Sequence, residues 1–184
     1  MVEIRFAKNR TDLEKIRFLQ RKNTLKALTS KVAQEQGFVT VLHPLEQLEE
    51  MQQREPQIIA LEKETLAGYA LVMSPELKTT VPLLVPLFKT LDTLSYRGKS
   101  LKSCHYYVMG QICIAKNYRG HDLFRRLYQA HRETLSSKYD FCITEISARN
   151  TRSMAAHQKI GFEQIHQFTD ETDLWNVVLW DWSK

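Results

Sequence analysis

The sequence predicts an α/β (α+β) protein built on a mixed sheet with helices on its faces. Short apolar strands alternate with amphipathic helices, and the C-terminal part runs strand, helix, strand, helix and then a strand pair. The chain has 184 residues, of which 43% are apolar and 10% aromatic, which is enough for one sizeable core. It contains no repeat and no low-complexity run. We therefore expect one domain over residues 1–184.

Alternation, capping residues and turns predict the N-terminal elements. Val2 to Ala7 alternates as a first strand, and Thr11 or Asp12 can cap a helix that is apolar at Leu13, Ile16 and Leu19. Next come a helix over Thr24 to Gln36, which Gly37 ends, and an extended piece over Phe38 to Leu42. A further helix runs from Pro44 to about Gln53. A hairpin follows, in which strands Gln57 to Glu62 and Leu66 to Met73 are joined by a turn around Lys63 to Thr65.

Residues 74–103 give the weakest signal in the chain. Pro75, Pro82 and Pro86 interrupt an apolar run that reads VPLLVPLF. The run favours a short helix, which could contact substrate or pack as a lid. An insertion that only covers one edge of the core fits the pattern equally well.

The C-terminal elements follow from clear changes of period. They are a central strand over Tyr106 to Ala115, a helix over His121 to about Ser137, a strand over Phe141 to Ala148, a helix over Thr151 to Lys159, and a closing pair of Phe162 to Phe168 and Leu174 to Trp182 joined by an acidic turn over Thr169 to Asp173.

Charge and composition narrow the functional class. The net charge is +5, but the basic residues lie beside acidic ones, which is typical of a mixed solvated surface and not of a nucleic-acid-binding stripe. No apolar run approaches the roughly 18 residues of a membrane span, so we expect a cytoplasmic protein without a membrane partner. Cys104, Cys113 and Cys142 lack the spacing of a zinc site, and we expect reduced thiols and no metal.

A loop and helix after the central strand predict a site for an anion. The turn Asn117-Tyr118-Arg119-Gly120 leads into a helix, and the first N–H groups of a helix have no partner within it. Gly120 permits a close backbone approach, and Arg119, Arg125 and Arg126 add positive charge. Such a helix N-terminus favours phosphate.

Residues 109–162 resemble the GNAT superfamily of acetyl-CoA-dependent N-acetyltransferases. The family's pyrophosphate loop, Arg/Gln-x-x-Gly-x-Gly/Ala, is similar to Tyr118 to Phe124, where Arg119 and Gly120 match but Asp122 and Phe124 replace small residues. The family's second motif reads Glu-Val-x-x-x-Asn, then a Tyr seven residues on, then x-x-x-Gly-Phe. Here Glu145-Ile146 precedes Asn150, His157 holds the Tyr position, and Gly161-Phe162 follows.

The resemblance implies a mostly antiparallel sheet with helices on both faces, acetyl-CoA as cosubstrate and a set of binding residues. The backbone of the central strand would bind pantetheine like an added strand, and the loop and helix start would bind phosphate. The implied cofactor-binding residues are Ile112, Cys113, Ile114, Arg119, Gly120, His121, Asp122, Leu123, Phe124, Arg125 and Asn150.

Two residues are candidates for proton transfer. Glu145 lies in an otherwise apolar strand, where burial would raise its pKa toward that of a general base; the alternative is a carboxylate paired with a neighbour such as Arg149. His157 would protonate the leaving thiolate, as the matching Tyr does in similar enzymes; an imidazole can also act as the base, so the direction of proton transfer stays open, and a helix His is also commonly structural. Asn150 is an N-cap on local grounds, and this is compatible with a place beside CoA.

Asp122 and Phe124 are departures from the family pattern that need an explanation. The Asp122 charge would repel a pyrophosphate unless it points away and pairs with Arg125 or Arg126. Phe124 shares a helical stripe with core residues, which indicates packing, with its N–H left for phosphate; the stripe consists of Phe124, Leu127, Tyr128, His131 and Leu135.

The sequence thus predicts an acetyl-CoA-dependent N-acetyltransferase in which Glu145 and His157 are catalytic. The acceptor would be a small-molecule amine or a protein amine. The sequence does not decide between a monomer and a homodimer, and no nucleic-acid partner is expected. The alternative is a non-catalytic acyl-CoA-binding or regulatory domain with the same fold, which would need neither catalytic residue.

Overall fold

A computed structural model describes residues 1–24, 27, 38–79 and 81–183. Its main strands are β1 (Glu3–Phe6), β2 (Ile58–Glu62), β3 (Thr65–Met73), β6 (Tyr106–Ile114), β7 (Phe141–Ser147), β8 (Glu163–Thr169) and β9 (Leu174–Asp181), and a small hairpin consists of β4 (Ser95–Tyr96) and β5 (Lys99–Ser100). The helices are α1 (Arg10–Asn23), α2 (Leu45–Arg54), α3 (Val85–Leu91), α4 (Leu123–Leu135) and α5 (Thr151–Ile160). Each of these main elements agrees with a predicted one to within a few residues. The predicted helix over Thr24 to Gln36 and its end at Gly37 lie outside the described residues, apart from Thr24 and residue 27.

The first helix begins earlier than predicted. Asn9, and not Thr11 or Asp12, is its N-cap, since the Asn9 side chain accepts a hydrogen bond from the Asp12 N–H. Asp12 is instead buried in an ion pair with Arg5, at 2.7 Å between Nη1 and Oδ2. The pair joins β1 to the start of α1.

One seven-stranded sheet organises the fold, in the order β1-β2-β3-β6-β7-β9-β8. The pairs are antiparallel except β6 with β7, which is parallel and is connected through α4. The sheet is therefore mixed and mostly antiparallel, as predicted.

A bulge interrupts β6 at Gly110. Leu71 of β3 pairs with Gln111 whereas the adjacent Val72 pairs with Met109, so that Gly110 is the extra residue. The extra residue reverses the alternation of β6 beyond it. Gln111 consequently lies on the sheet face that carries α1, while Ile112 lies on the face that carries α4.

Both faces of the sheet are covered by apolar cores. The first core packs α1, α2 and α3 on one face and includes Ile16, Leu48 and Leu87, and the second packs α4 and α5 on the other and includes Leu127 and Phe162. The prediction of helices on both faces is confirmed.

Residues 74–103 form short turns, α3 and the β4–β5 hairpin. The apolar run gives a helical turn followed by α3, whose Leu87, Phe88 and Leu91 are buried in the first core. Tyr96 of the hairpin donates a hydrogen bond to Glu163 of β8. The described part of this segment therefore covers the core, which agrees with the second of the two sequence interpretations.

Cys104, Cys113 and Cys142 are free thiols, of which the last two are buried in β6 and β7. Within the described residues, no three His, Cys, Asp or Glu side chains lie close enough together to hold a metal ion. None of the described helices has the length and apolar character that crossing a membrane requires.

Candidate active site

The central feature is a gap between the two parallel strands. β6 and β7 pair only from Tyr106 with Phe141 to Val108 with Ile143. One further bond, from Thr144 Oγ1 to the Met109 carbonyl at 2.9 Å, connects the strands. Beyond it the strands separate, and we call the space between β6 after Met109 and β7 after Thr144 the strand gap.

Two cavities lie along the strand gap. The larger has a volume of about 630 Å³ and extends between β6, the start of α4 and α5. The smaller, of about 80 Å³, lies deeper, between the Gly110 bulge and β7. Residues that line both cavities connect them into one cleft; these are Phe38, Val39, Ile112, Asn150 and Ser153.

The larger cavity contains an uncapped helix N-terminus. Asp122 is the residue before α4 and has a left-handed backbone with φ of 60°, and its side chain makes no capping hydrogen bond. The first N–H groups of α4 therefore keep their capacity to bind an anion, and Leu123, Phe124 and Arg125 line the cavity. Gly120 has φ of 80°, and the space where a Cβ would stand is open.

Asp122 does not present an unpaired charge to this cavity. Its carboxylate accepts hydrogen bonds from Arg125, at 2.6 Å from Nη2 and 3.0 Å from Nε. Both side chains are exposed, and the guanidinium lowers the pKa of the Asp122 carboxyl. The pairing with Arg125 is the arrangement that the sequence analysis required for an anion site.

Arg119 makes more protein contacts than a surface arginine would. Its Nε donates to the Ile114 carbonyl at 3.0 Å, and its Nη2 donates to Asn23 Oδ1 at 2.6 Å. The side chain thereby joins the loop before α4 to the end of β6 and to the end of α1. It still lines the larger cavity, together with Arg152 and Lys159.

The β6 backbone borders the larger cavity at Ile112, Cys113 and Ile114. One edge of this segment pairs with β3, and in the described part of the chain no strand pairs with the edge that faces the strand gap. Cys113 is buried, and burial raises the pKa of its thiol to about 12, so that it is an uncharged wall residue.

Two predicted binding residues behave differently from each other. Asn150 lines both cavities and caps α5, because its side chain accepts a hydrogen bond from the Ser153 N–H at 3.2 Å. His121 is exposed in the turn before α4 and lines neither cavity. The resemblance placed His121 in the cofactor-binding loop without assigning a role to its side chain, and this binding role stays a prediction.

Glu145 lies at the smaller cavity with an unused oxygen. Its Oε2 is buried and has no hydrogen-bond partner among the residues that the structure describes. Burial, with a smaller contribution from the Asp170 charge, raises the pKa of Glu145 to about 8. Arg149, the suggested partner, pairs with Asp173 at 2.7 Å instead. The raised pKa agrees with the prediction from sequence, and among the described residues Glu145 forms no ion pair with Arg149 or another side chain.

His157 has an environment that contradicts its predicted chemistry. The ring is buried at the smaller cavity, and burial lowers the pKa of His157 to about 4. The neutral ring is therefore the favoured form at neutral pH, which disfavours an imidazolium acid at position 157.

A buried amide network that the sequence analysis missed forms one wall of the smaller cavity. Gln111 Oε1 accepts hydrogen bonds from Gln20 Nε2 at 2.8 Å and from the Tyr69 hydroxyl at 2.5 Å, and Gln111 Nε2 donates to the Val41 carbonyl at 2.8 Å. The network holds residues 39–43 against β6. The available signal was Gln20, a polar residue on the apolar stripe of α1.

The protein thus has a mixed sheet whose two parallel strands separate beside a helix N-terminus that carries no side-chain cap. The chain has the fold of the GNAT superfamily of acetyltransferases. No protein-family model matches the sequence, and no curated protein matches it.

Solved structures provide the evidence for the fold. The chain is similar to the ribosomal-protein-S18-alanine N-acetyltransferase of Escherichia coli, with a TM-score of 0.64 and 12% identity over 98% of this chain and 94% of that one. A putative acetyltransferase from Salmonella typhimurium, solved with its cofactor acetyl-CoA, is similar with a TM-score of 0.63 and 14% identity. The match covers 98% of this chain and 94% of that one. A GNAT-family acetyltransferase from Streptococcus agalactiae is similar with a TM-score of 0.63 and 17% identity, and the match covers 98% of this chain and 95% of that one.

Proposed function

We propose that this protein is an acetyl-CoA-dependent N-acetyltransferase that transfers the acetyl group directly to a primary amine. The observation that carries the proposal is the unpartnered, buried Glu145 oxygen in the smaller cavity, directly continuous with a cavity that has the features of an anion site. A binding module has no need of a carboxyl group with a raised pKa in that place.

The larger cavity has groups that suit two parts of CoA, the pyrophosphate and the pantetheine. The N–H groups at the start of α4 and the basic side chains around them suit a pyrophosphate, with Arg125 held beside the loop by Asp122. The unpaired edge of β6 from Ile112 to Ile114 offers peptide groups to the amides of pantetheine. Acetyl-CoA would supply the thioester, and this chain would supply its orientation toward the smaller cavity.

Glu145 supplies the proton chemistry in this proposal. An amine substrate is mostly protonated at neutral pH, and the Glu145 carboxylate accepts that proton. The free amine then attacks the acetyl carbon, the carbon–sulfur bond breaks, and the thiolate takes the second proton that the nitrogen gives up. The products are the amide, the CoA thiol and one proton, which Glu145 returns to solvent.

The acceptor class is wider than one compound. The E. coli neighbour is named for acting on the alanine of a ribosomal protein, which makes a protein amine one candidate, and a small amine is the other. The smaller cavity of about 80 Å³ accommodates an acetyl group and the attacking nitrogen but not a whole substrate. The rest of the acceptor would therefore lie outside the smaller cavity, which residues 38–40 help to line.

A non-catalytic acyl-CoA-binding domain is the second candidate. The hydrogen bonding of His157 favours it, since both ring nitrogens of this residue, which holds the position of the family's Tyr, already bond to protein groups. The orphan Glu145 oxygen opposes it. The two candidates make the same prediction for cofactor binding and opposite ones for turnover.

The test therefore has two parts. Calorimetric titration with acetyl-CoA measures binding, and a thiol-reactive dye measures the CoA thiol released with a panel of small amines and short peptides. We expect binding and amine-dependent release that Glu145→Gln abolishes while it retains binding. Binding without release for any amine would favour the regulatory domain, and absence of binding would refute both.

A further inference from the structure

Two buried side chains connect the helices on either side of the cofactor cavity. Tyr128 lies in the middle of α4 and His157 near the end of α5, and they are 0% and 2% exposed. The Tyr128 hydroxyl is 2.7 Å from His157 Nε2, and His157 Nδ1 is 2.8 Å from the Ser153 carbonyl. A carbonyl only accepts, so Nδ1 carries the hydrogen and Nε2 accepts from Tyr128.

This hydrogen bonding uses both nitrogens of the ring. Phe124 and Phe162 also enclose it edge-on, with ring centroids 5.0 Å and 5.1 Å from that of His157. A ring held by two hydrogen bonds and two aromatic contacts cannot turn to offer an N–H to a thiolate without losing them. Its position at the cleft therefore calls for another role.

The bonded groups belong to the walls of both cavities. Phe124 lines the larger cavity, His157 lines the smaller, and Ser153, whose carbonyl the ring binds, lines both. Ser153 is also the residue whose N–H is capped by Asn150. The chain of contacts thus runs from α4 through Tyr128 and His157 to the first turn of α5.

We propose that Tyr128 and His157 are positioning residues, which fix the first turn of α5 against α4 and thereby set the width of the acetyl-CoA cavity. The proposal rests on the proposed function for its ligand, but not for the contact itself. It gives His157 a binding role in place of proton donation, and it brings in Tyr128, which the sequence places only in a core stripe.

A matched pair on the same face provides the control. Tyr107 and His131 are also fully buried, with the Tyr107 hydroxyl 3.1 Å from His131 Nδ1, but neither lines the larger or the smaller cavity. Tyr107→Phe and Tyr128→Phe each remove one buried hydroxyl and little else. Any difference between them in cofactor affinity therefore reports on position.

The experiment is a double-mutant cycle on acetyl-CoA affinity. We expect Tyr128→Phe and His157→Phe each to weaken binding by about two- to tenfold, the double variant to be no weaker than the weaker single variant, and Tyr107→Phe to bind like the parent. The pH dependence of turnover should keep its shape in the variants that remain active. The proposal would be refuted if Tyr128→Phe bound acetyl-CoA as tightly as the parent while its melting temperature fell as much as that of Tyr107→Phe. Tyr128 and His157 would then contribute only to core packing.

The acid role that the sequence predicts for His157 leads to a different expected result. Had His157 been the acid, His157→Phe would keep the parental affinity and lose turnover together with one limb of the pH profile, and that result would overturn the positioning role. A ligand-free measurement separates this proposal from the function. Amide hydrogen exchange in the first turn of α5 should be faster in Tyr128→Phe than in Tyr107→Phe, and equal rates would refute the contact's role even in a protein that binds no acetyl-CoA.

Discussion

Replacing Glu145 with Gln should raise stability and abolish turnover together. The native carboxyl has its pKa raised from 4.5 to about 8, mainly by burial. The native state therefore binds more protons than the unfolded chain between about pH 4.5 and pH 8, and the free energy of unfolding falls as pH rises through that window. Glu145→Gln has no such ionisation, so its stability advantage grows with pH across the same range.

The size of the effect follows from the rise in pKa. A rise from 4.5 to about 8, at about 1.4 kcal/mol for each pKa unit, gives of the order of 5 kcal/mol as an upper bound. Glu145 borders a cavity that opens to solvent, and the new amide also lacks a partner, so we expect about 1–3 kcal/mol at pH 9. At pH 4 the parent and the variant should differ by much less.

The assays are thermal melting from pH 4 to pH 9 and the rate of CoA thiol release. The loss of a general base typically costs a factor of about 10²–10⁴ in kcat. In the parent, kcat/KM should rise with pH to a plateau above about 8, measured with an amine whose own pKa lies outside the range.

Asp170→Asn is the control, because the Asp170 charge contributes to the raised pKa of Glu145. It should retain turnover and move the rise in kcat/KM to lower pH. A stability difference between parent and Glu145→Gln that does not vary with pH would refute the burial argument, and parental turnover in that variant would remove Glu145 from catalysis.

Three further predictions concern the cofactor cavity and the fold. Acetyl-CoA at about 100 times its Kd should stabilise the protein by about 2.7 kcal/mol, and melting curves that do not move with millimolar ligand would contradict the cavity assignment. Arg119→Ala should weaken CoA binding and lower the free energy of unfolding by about 1–3 kcal/mol, because it leaves Asn23 Oδ1 and the Ile114 carbonyl without their charged donor. A free energy of unfolding equal to the parent's in denaturant titration would contradict those contacts. Gly161→Ala should cost more than about 1 kcal/mol, since φ is 118° and a Cβ would stand 3.1 Å from Trp180 Nε1; a melting temperature equal to the parent's would count against it.

The sequence was most informative where a local pattern determines the structure. Alternating and helical periods located the main strands and helices, and the order of motifs from residue 109 to residue 162 located the cleft. Gly161 ends α5 with a left-handed backbone, whereas the sequence analysis used it only as part of the Gly-Phe motif. The N-cap role of Asn150 followed from its place between strand and helix, and the structure confirms it.

The remaining features depend on residues far apart in the chain. Arg119 bonds to Asn23, which is 96 positions away, and no local pattern could indicate that contact. Burial lowers the pKa of His157, and its hydrogen bond with Tyr128 joins residues that are 29 positions apart. The Gly110 bulge depends on the register with β3. In each case tertiary packing, and not local periodicity, decides the outcome.

The short pairing between β6 and β7 also divides the molecule by chain order. The four strands on one side of the strand gap all come from residues 3–114, and the three on the other all come from residues 141–181. A ribosome therefore completes the first half of the sheet before it makes any strand of the second, and α4 is the covalent bridge between two consecutively synthesised halves. Because the backbone pairing between β6 and β7 covers only three residue pairs, a ligand lying in the gap would bind across both halves and would make them unfold as one cooperative unit.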